Sequence, residues 1–92
     1  MDVETIVDER VVVIAIYPID QGERRNCVPM RMYYKNEWHK FTELCFRHPT
    51  IKGQRTIHVF DMTSETQHYR LELNTETNVW FLKTMGYGKY VS

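Results

Sequence analysis

The chain lacks a charge surplus of either sign: Lys and Arg number 12, Asp and Glu number 12, and the formal net charge is zero. A dedicated nucleic-acid binder usually shows a clear basic excess on one face, so this balance argues against that class while leaving room for a local basic patch. Cysteine is scarce. Cys27 and Cys45 stand at no metal-like spacing and no secretion signal precedes them, which speaks for reduced thiols in a cytoplasmic protein rather than a disulfide framework. No apolar run approaches the roughly 20 residues that span a bilayer, and the N-terminus has neither the basic nor the apolar region of a signal peptide. A membrane role is therefore not expected.

Motifs that carry chemistry are missing as well. Gly86 and Gly88 lie between aromatic residues but fit neither glycine-rich phosphate-loop pattern. The four histidines, His39, His48, His58 and His68, form no HxH, HxxxH or CxxC-like ligand pair, so no metal site and no cofactor are assigned. Cys45 and His39 share a strand parity but lie about 20 Å apart at roughly 3.3 Å per residue, too far for a thiol–imidazole pair. No catalytic residue is singled out, and a non-enzymatic protein is the expectation.

What the chain does have is β-structure. Its 92 residues suffice for one domain with one modest core. Residues 56–85 read as three antiparallel strands, because two polar clusters, Thr63 to Thr66 and Asn74 to Thr77, interrupt runs rich in β-branched and aromatic residues. With four-residue loops at those clusters, Met62 falls opposite Gln67 and Leu73 opposite Asn78. Phe60, Tyr69 and Leu82 then form one row, and His58, Leu71 and Trp80 the next, all on one apolar face. The other face is mixed: Asp61 beside His68 and Lys83, Val59 beside Arg70 and Phe81, Ile57 beside Glu72 and Val79. That pattern suits an antiparallel sheet covering a core on one side.

Upstream, residues 11–16 are an unbroken, mostly β-branched apolar run, which reads as a strand covered on both faces or one at the middle of the sheet. Val28–Tyr34 alternates and reads as a strand with Arg31, Tyr33 and Lys35 on its solvent side. Lys35 and Asn36 suit a hairpin turn into residues 37–46. Residues 36–48 support two readings: a strand with a bulge, or a short helix over 37–47 capped by Asn36 and stopped by Pro49. Residues 1–9 and 86–92 read as flexible ends, with Val3, Ile6 and Val7 offering a short strand or helical turn as the alternative for the first. The expected fold is a mainly β antiparallel meander or half-barrel of five or six strands. Its expected core holds Val13, Ile14, Ile16, Met32, Phe41, Leu44, Phe60, Tyr69, Leu71, Trp80 and Leu82.

Three readings of function follow. The first is an interaction module, a homodimer or a binder of another protein, working through a sheet edge or the second sheet face. Its candidate binding residues are Arg31, Tyr33, Lys35, Tyr87 and Tyr90, where aromatic rings stand beside cations, and Arg24 and Arg25, whose guanidinium forks suit planar anions. The second is a small-ligand-binding or hydrolase-like domain that uses the Asp61–His68 pair with the Arg24–Arg25 loop. The third, single-stranded nucleic-acid binding on the aromatic face, is disfavoured by the neutral charge.

Overall fold

The computed structural model describes residues 4–16, 27–52 and 55–87, with the side chains of 48–52, 55 and 56 left aside. These residues form seven strands: β1 (Glu4–Ile16), β2 (Val28–Tyr34), β3 (Glu37–Lys40), β4 (Glu43–Lys52), β5 (Arg55–Thr63), β6 (Gln67–Asn74) and β7 (Val79–Tyr87). They make one antiparallel sheet in the order β3-β2-β1-β7-β6-β5-β4, curled into a half-barrel. The mainly β half-barrel is thus present, with one or two more strands than expected and no helix among the described residues.

Strand β1 makes the curl. It pairs with β7 from Glu4 to Val11 and with β2 from Val12 to Ile16. Register shifts between Ile6 and Glu9 and between Ile14 and Ala15 bend it, as bulges do. Asp8 sits in the first with a φ of 53°. Residues 4–9, expected as a loose end or a short strand or turn, are therefore nearly half of the longest strand, and Gly86 and Tyr87 close β7 opposite Glu4 and Gln67.

Residues 36–48 are not a helix. Lys35 and Asn36 both take positive φ, 50° and 62°, the conformation a two-residue type I′ hairpin needs. The turn pairs Tyr34 with Glu37. After four residues of β3 the chain breaks at Phe41 and Thr42, whose amides donate to Met30 O at 2.9 Å and Thr63 O at 2.7 Å. This corner carries the chain from one edge strand, β3, to the other, β4. Phe41 drops inward and meets Tyr69 edge-on at 5.2 Å. From β4, Arg47 reaches across the concave side. Its guanidinium lies 5.4 Å over the Phe60 ring, and Nη2 donates to Cys27 O at 2.6 Å, tying β4 to the start of β2.

The core lies in the concavity. Val11, Met32, Phe41, Phe60, Met62, Tyr69, Leu71, Leu73, Trp80 and Leu82 are buried there together. The rows across β5, β6 and β7 are Phe60–Leu71–Leu82 and His58–Leu73–Trp80. Both expected rows are thus offset by two residues at β6, because each loop sits one residue further along the chain. Asn74 explains the second loop. Its side-chain Oδ1 accepts from Glu76 N at 3.0 Å and Thr77 N at 3.4 Å, and its carbonyl from Asn78 N at 2.7 Å, so Asn74 ends β6 and starts the turn. An offset of two leaves every side chain on its expected face, since the strand period is also two.

The largest departure from expectation concerns β1. Ile14 and Ile16 were expected in the core and are 41% and 58% exposed, while Val13 and Leu44 are only partly buried. No helix or second sheet covers the convex side of β1 among the described residues. The strand buried on both faces is β5, where Ile57, Val59 and Asp61 are buried on the convex side as Phe60 and Met62 are on the concave one.

Candidate functional site

Two regions gather chemistry. The first is the convex face of β1, β2 and β3. Val12, Tyr33 and Trp38 form one cross-strand row there, and Ile14, Arg31 and Lys40 the next. Val12 is 62% and Trp38 48% exposed. Tyr33 and Trp38 meet edge-on at 5.2 Å, and the Arg31 guanidinium lies 5.3 Å over the Trp38 ring, within the range of a ring–cation contact. The register shift at Ile14 leaves Met30 turned outward, so Ile14, Ile16, Met30 and Trp38 line a shallow groove flanked by Arg31 and Lys40. Arg10 faces out beside Phe81 on the adjoining row. The rows of Val12 and Ile14 thus present two cations, Arg31 and Lys40, and no carboxylate on an apolar floor, and Arg10 stands in the adjoining row, where Phe81 separates it from Glu72.

The second region is the mouth at the other end of the curl, where the β2–β3 hairpin faces the start of β1 and the end of β7. A cavity of about 290 Å³ opens there among Tyr34, Lys35, Glu37, His39, Gln67 and Tyr87, with Val7 and Met85 as its apolar floor. A polar chain runs beneath it. The buried Tyr69 hydroxyl donates to Gln67 Oε1 at 2.6 Å, which leaves its oxygen to accept from His39 Nδ1 at 3.3 Å. That arrangement puts the proton of a neutral His39 on Nδ1. At the rim, Tyr34 donates to Glu9 Oε2 at 3.0 Å, and Lys35 Nζ lies 5.5 Å over the Tyr34 ring. Both phenols are held above their ordinary pKa of 10.0. Burial is the main cause for each, the hydrogen bond and charge of Glu9 add to it for Tyr34, and Ser64 partly offsets it for Tyr69.

The residues singled out from sequence divide between these regions. Arg31 and Tyr33 lie on the convex face, and Lys35 and Tyr87 at the mouth. Arg24, Arg25 and Tyr90 lie outside the described residues. Trp38, Lys40, Tyr34 and His39 were not picked out, because their placement depends on residues 37–40 being a strand opposite β2. The expected Asp61–His68 pair is not formed. Asp61 is opposite Arg70, which binds it through Nε at 2.7 Å and Nη2 at 3.1 Å, and His68 is opposite Thr63. The same two-residue offset is responsible. Nor is the second face over β5 an open contact surface, since Val59 is buried there. Among the described residues no three His, Cys, Asp or Glu side chains converge as metal ligands, and no helix is long and apolar enough to cross a membrane. No protein-family model, curated protein or solved structure matches the chain.

Proposed function

We propose that this chain is a non-enzymatic binding module whose convex β1–β3 face receives an acidic, aliphatic-rich segment of another protein. The observation that carries the reading is the contiguity of Val12, Ile14, Ile16 and Trp38, all exposed, with Arg31 and Lys40 among them. Contiguous apolar surface of this kind marks interaction sites, whereas single exposed apolar residues do not. Charge selects the occupant. A second copy placed face to face would set the patch that holds Arg31 and Lys40 against the same positive patch, which costs energy at a desolvated contact. An acidic segment removes that cost, and its aliphatic side chains match a groove that is mostly aliphatic. Strand β3 is an edge of the sheet, so an extended segment also has a backbone ladder available to join. The cytoplasm, where Cys27 and Cys45 would stay the free thiols they are here, is the setting that goes with this reading.

The test is a titration followed by Trp38 fluorescence. The probes are an alternating Glu/Leu peptide, the same peptide with Lys for Glu, and a short oligothymidylate, with light scattering on the protein alone. Saturable binding of the acidic peptide only, lost in Arg31→Glu/Lys40→Glu, is the expected result. Preference for the oligothymidylate with a steep salt dependence would move the face to the nucleic-acid class. A stable dimer blocked by the same double substitution would make the occupant a second copy.

A further inference from the structure

The mouth is a separate site from the convex face, and its chemistry points to a different ligand. Three aromatic rings stand around it, those of Tyr34, His39 and Tyr87, over an apolar floor of Val7 and Met85. Two carboxylates border it, Glu37 in the lining and Glu9 on the Tyr34 hydroxyl, against one ammonium, that of Lys35. An anion entering this space would meet both carboxylates and the negative face of the Tyr34 ring. A cation would meet both as attractions. Ring faces bind ammonium groups within about 6 Å of their centroids, most strongly when water is excluded.

The chain already displays such a contact. The Lys35 ammonium lies 5.5 Å from the Tyr34 centroid, so the Tyr34 ring is presented to a positive charge at the cavity rim. Lys35 is an exposed turn residue with a φ of 50°, and its ammonium, which also interacts with the Tyr34 hydroxyl, can leave the ring for solvent at the small cost of an exposed contact. Its side chain stands in for a ligand's ammonium. The volume of about 290 Å³ is near the lower end of ligand cavities, which fits a compact head group with a short tail rather than an extended metabolite. The polar chain below adds selectivity. With Nδ1 of His39 engaged by Tyr69, Nε2 on the far side of the ring is the acceptor left for a ligand's hydroxyl or N–H, and the Gln67 amide nitrogen is the complementary donor.

We propose that the mouth binds a small organic ammonium compound, its cationic head against Tyr34, Tyr87 and Glu37 and its polar tail toward His39 and Gln67. Lys35 is then a competitor for the site and not one of its ligands. This assignment makes a distinctive prediction, because removing a cation from a site usually weakens anion binding and here strengthens cation binding.

The experiment is a titration of the full, isotopically labelled chain with choline, its uncharged carbon isostere 3,3-dimethylbutan-1-ol, and butyrate at one ionic strength. It is read from the amide shifts of residues 34–39 and 85–87. Choline binds saturably and about fivefold or more tighter than the isostere, the scale of one partly desolvated ring–cation contact, and butyrate does not bind. Lys35→Met tightens choline binding, Glu37→Gln weakens it, and Tyr34→Leu weakens it by about fivefold or more. Lys35→Met and Glu37→Gln alter exposed residues, so both keep the parent spectrum elsewhere. Equal binding of choline and its isostere, no saturable shift for choline, or butyrate binding that Lys35→Met abolishes would each overturn the assignment. None of these outcomes depends on the convex face.

Discussion

The contrast between Leu71 and Ile16 tests the fold at its sharpest point. Both are large aliphatic residues on interior strands of the sheet. Leu71 is 0% exposed, in the row between Phe60 and Leu82, and Ile16 is 58% exposed on the convex side of β1. Truncating a fully buried Leu to Ala removes its transfer free energy and leaves a cavity, about 2–5 kcal/mol in all. The ring and branched neighbours on both sides of Leu71 limit collapse, so about 3–4 kcal/mol is expected. A chain of 92 residues has about 5–14 kcal/mol of stability at 0.05–0.15 kcal/mol per residue. Leu71→Ala therefore removes a quarter or more of the total. Ile16→Thr keeps β-branching and loses little burial, so its expected cost is within about 0.5 kcal/mol. Urea melts followed by far-UV circular dichroism read both. Leu71→Ala lowers the midpoint by about 2 M for a slope of 1.5–2 kcal/mol/M, with the slope unchanged, and Ile16→Thr leaves it nearly in place. Equal losses for the two variants, or a parental midpoint for Leu71→Ala, would refute the assignment of inside and outside.

Other consequences are as direct. Arg70→Leu strands the buried Asp61 carboxylate and costs about 1–3 kcal/mol, and much of that returns in Asp61→Leu/Arg70→Leu; a double-mutant cycle that comes out additive would deny the pairing. The raised pKa of Tyr69 means the folded chain holds that proton more tightly than the unfolded chain. The resulting stability is complete below the ordinary value of 10.0 and is lost as pH rises through the higher folded value. Tyr69→Phe should therefore flatten the loss of stability above pH 10 seen in parental urea melts, and an unchanged alkaline slope would count against the buried phenol. Cys45 is partly exposed and Cys27 fully buried, so a thiol reagent should modify one cysteine quickly and the second only at the rate of opening; two equal fast phases would contradict the burial of Cys27.

How much of this was legible in the sequence follows from the periodicity of strands. The faces of β5, β6 and β7 could be read from alternation alone, because moving each loop by one residue shifts partners by two and returns every side chain to the same side. Partners could not be read so easily. Asp61 meets Arg70 and not His68 because the turn closed by Ser64 N and Gln67 O, next to the Thr63–His68 pair, and not the centre of the polar cluster, fixes where that loop begins. The hairpin at Lys35 and Asn36 was visible because Asn tolerates positive φ. The corner at Phe41 and Thr42 was not. Its defining bonds run to Met30 and Thr63, residues whose nearness depends on the whole sheet having curled. Hydrophobicity misled at β1 for a related reason. An apolar run is read as buried on the premise that apolar residues lie inside, yet Val12, Ile14 and Ile16 face outward on a convex surface that no other described element covers. The two candidate sites share this origin. Each is assembled where β2 and β3 lie beside the two ends of β1, so the residues that define them, Trp38 on one face and Tyr34 and His39 on the other, acquire their neighbours only through long-range pairing. The exposed apolar run that sequence reasoning placed in the core is the feature that a binding surface would require, and stability alone gives no reason for it.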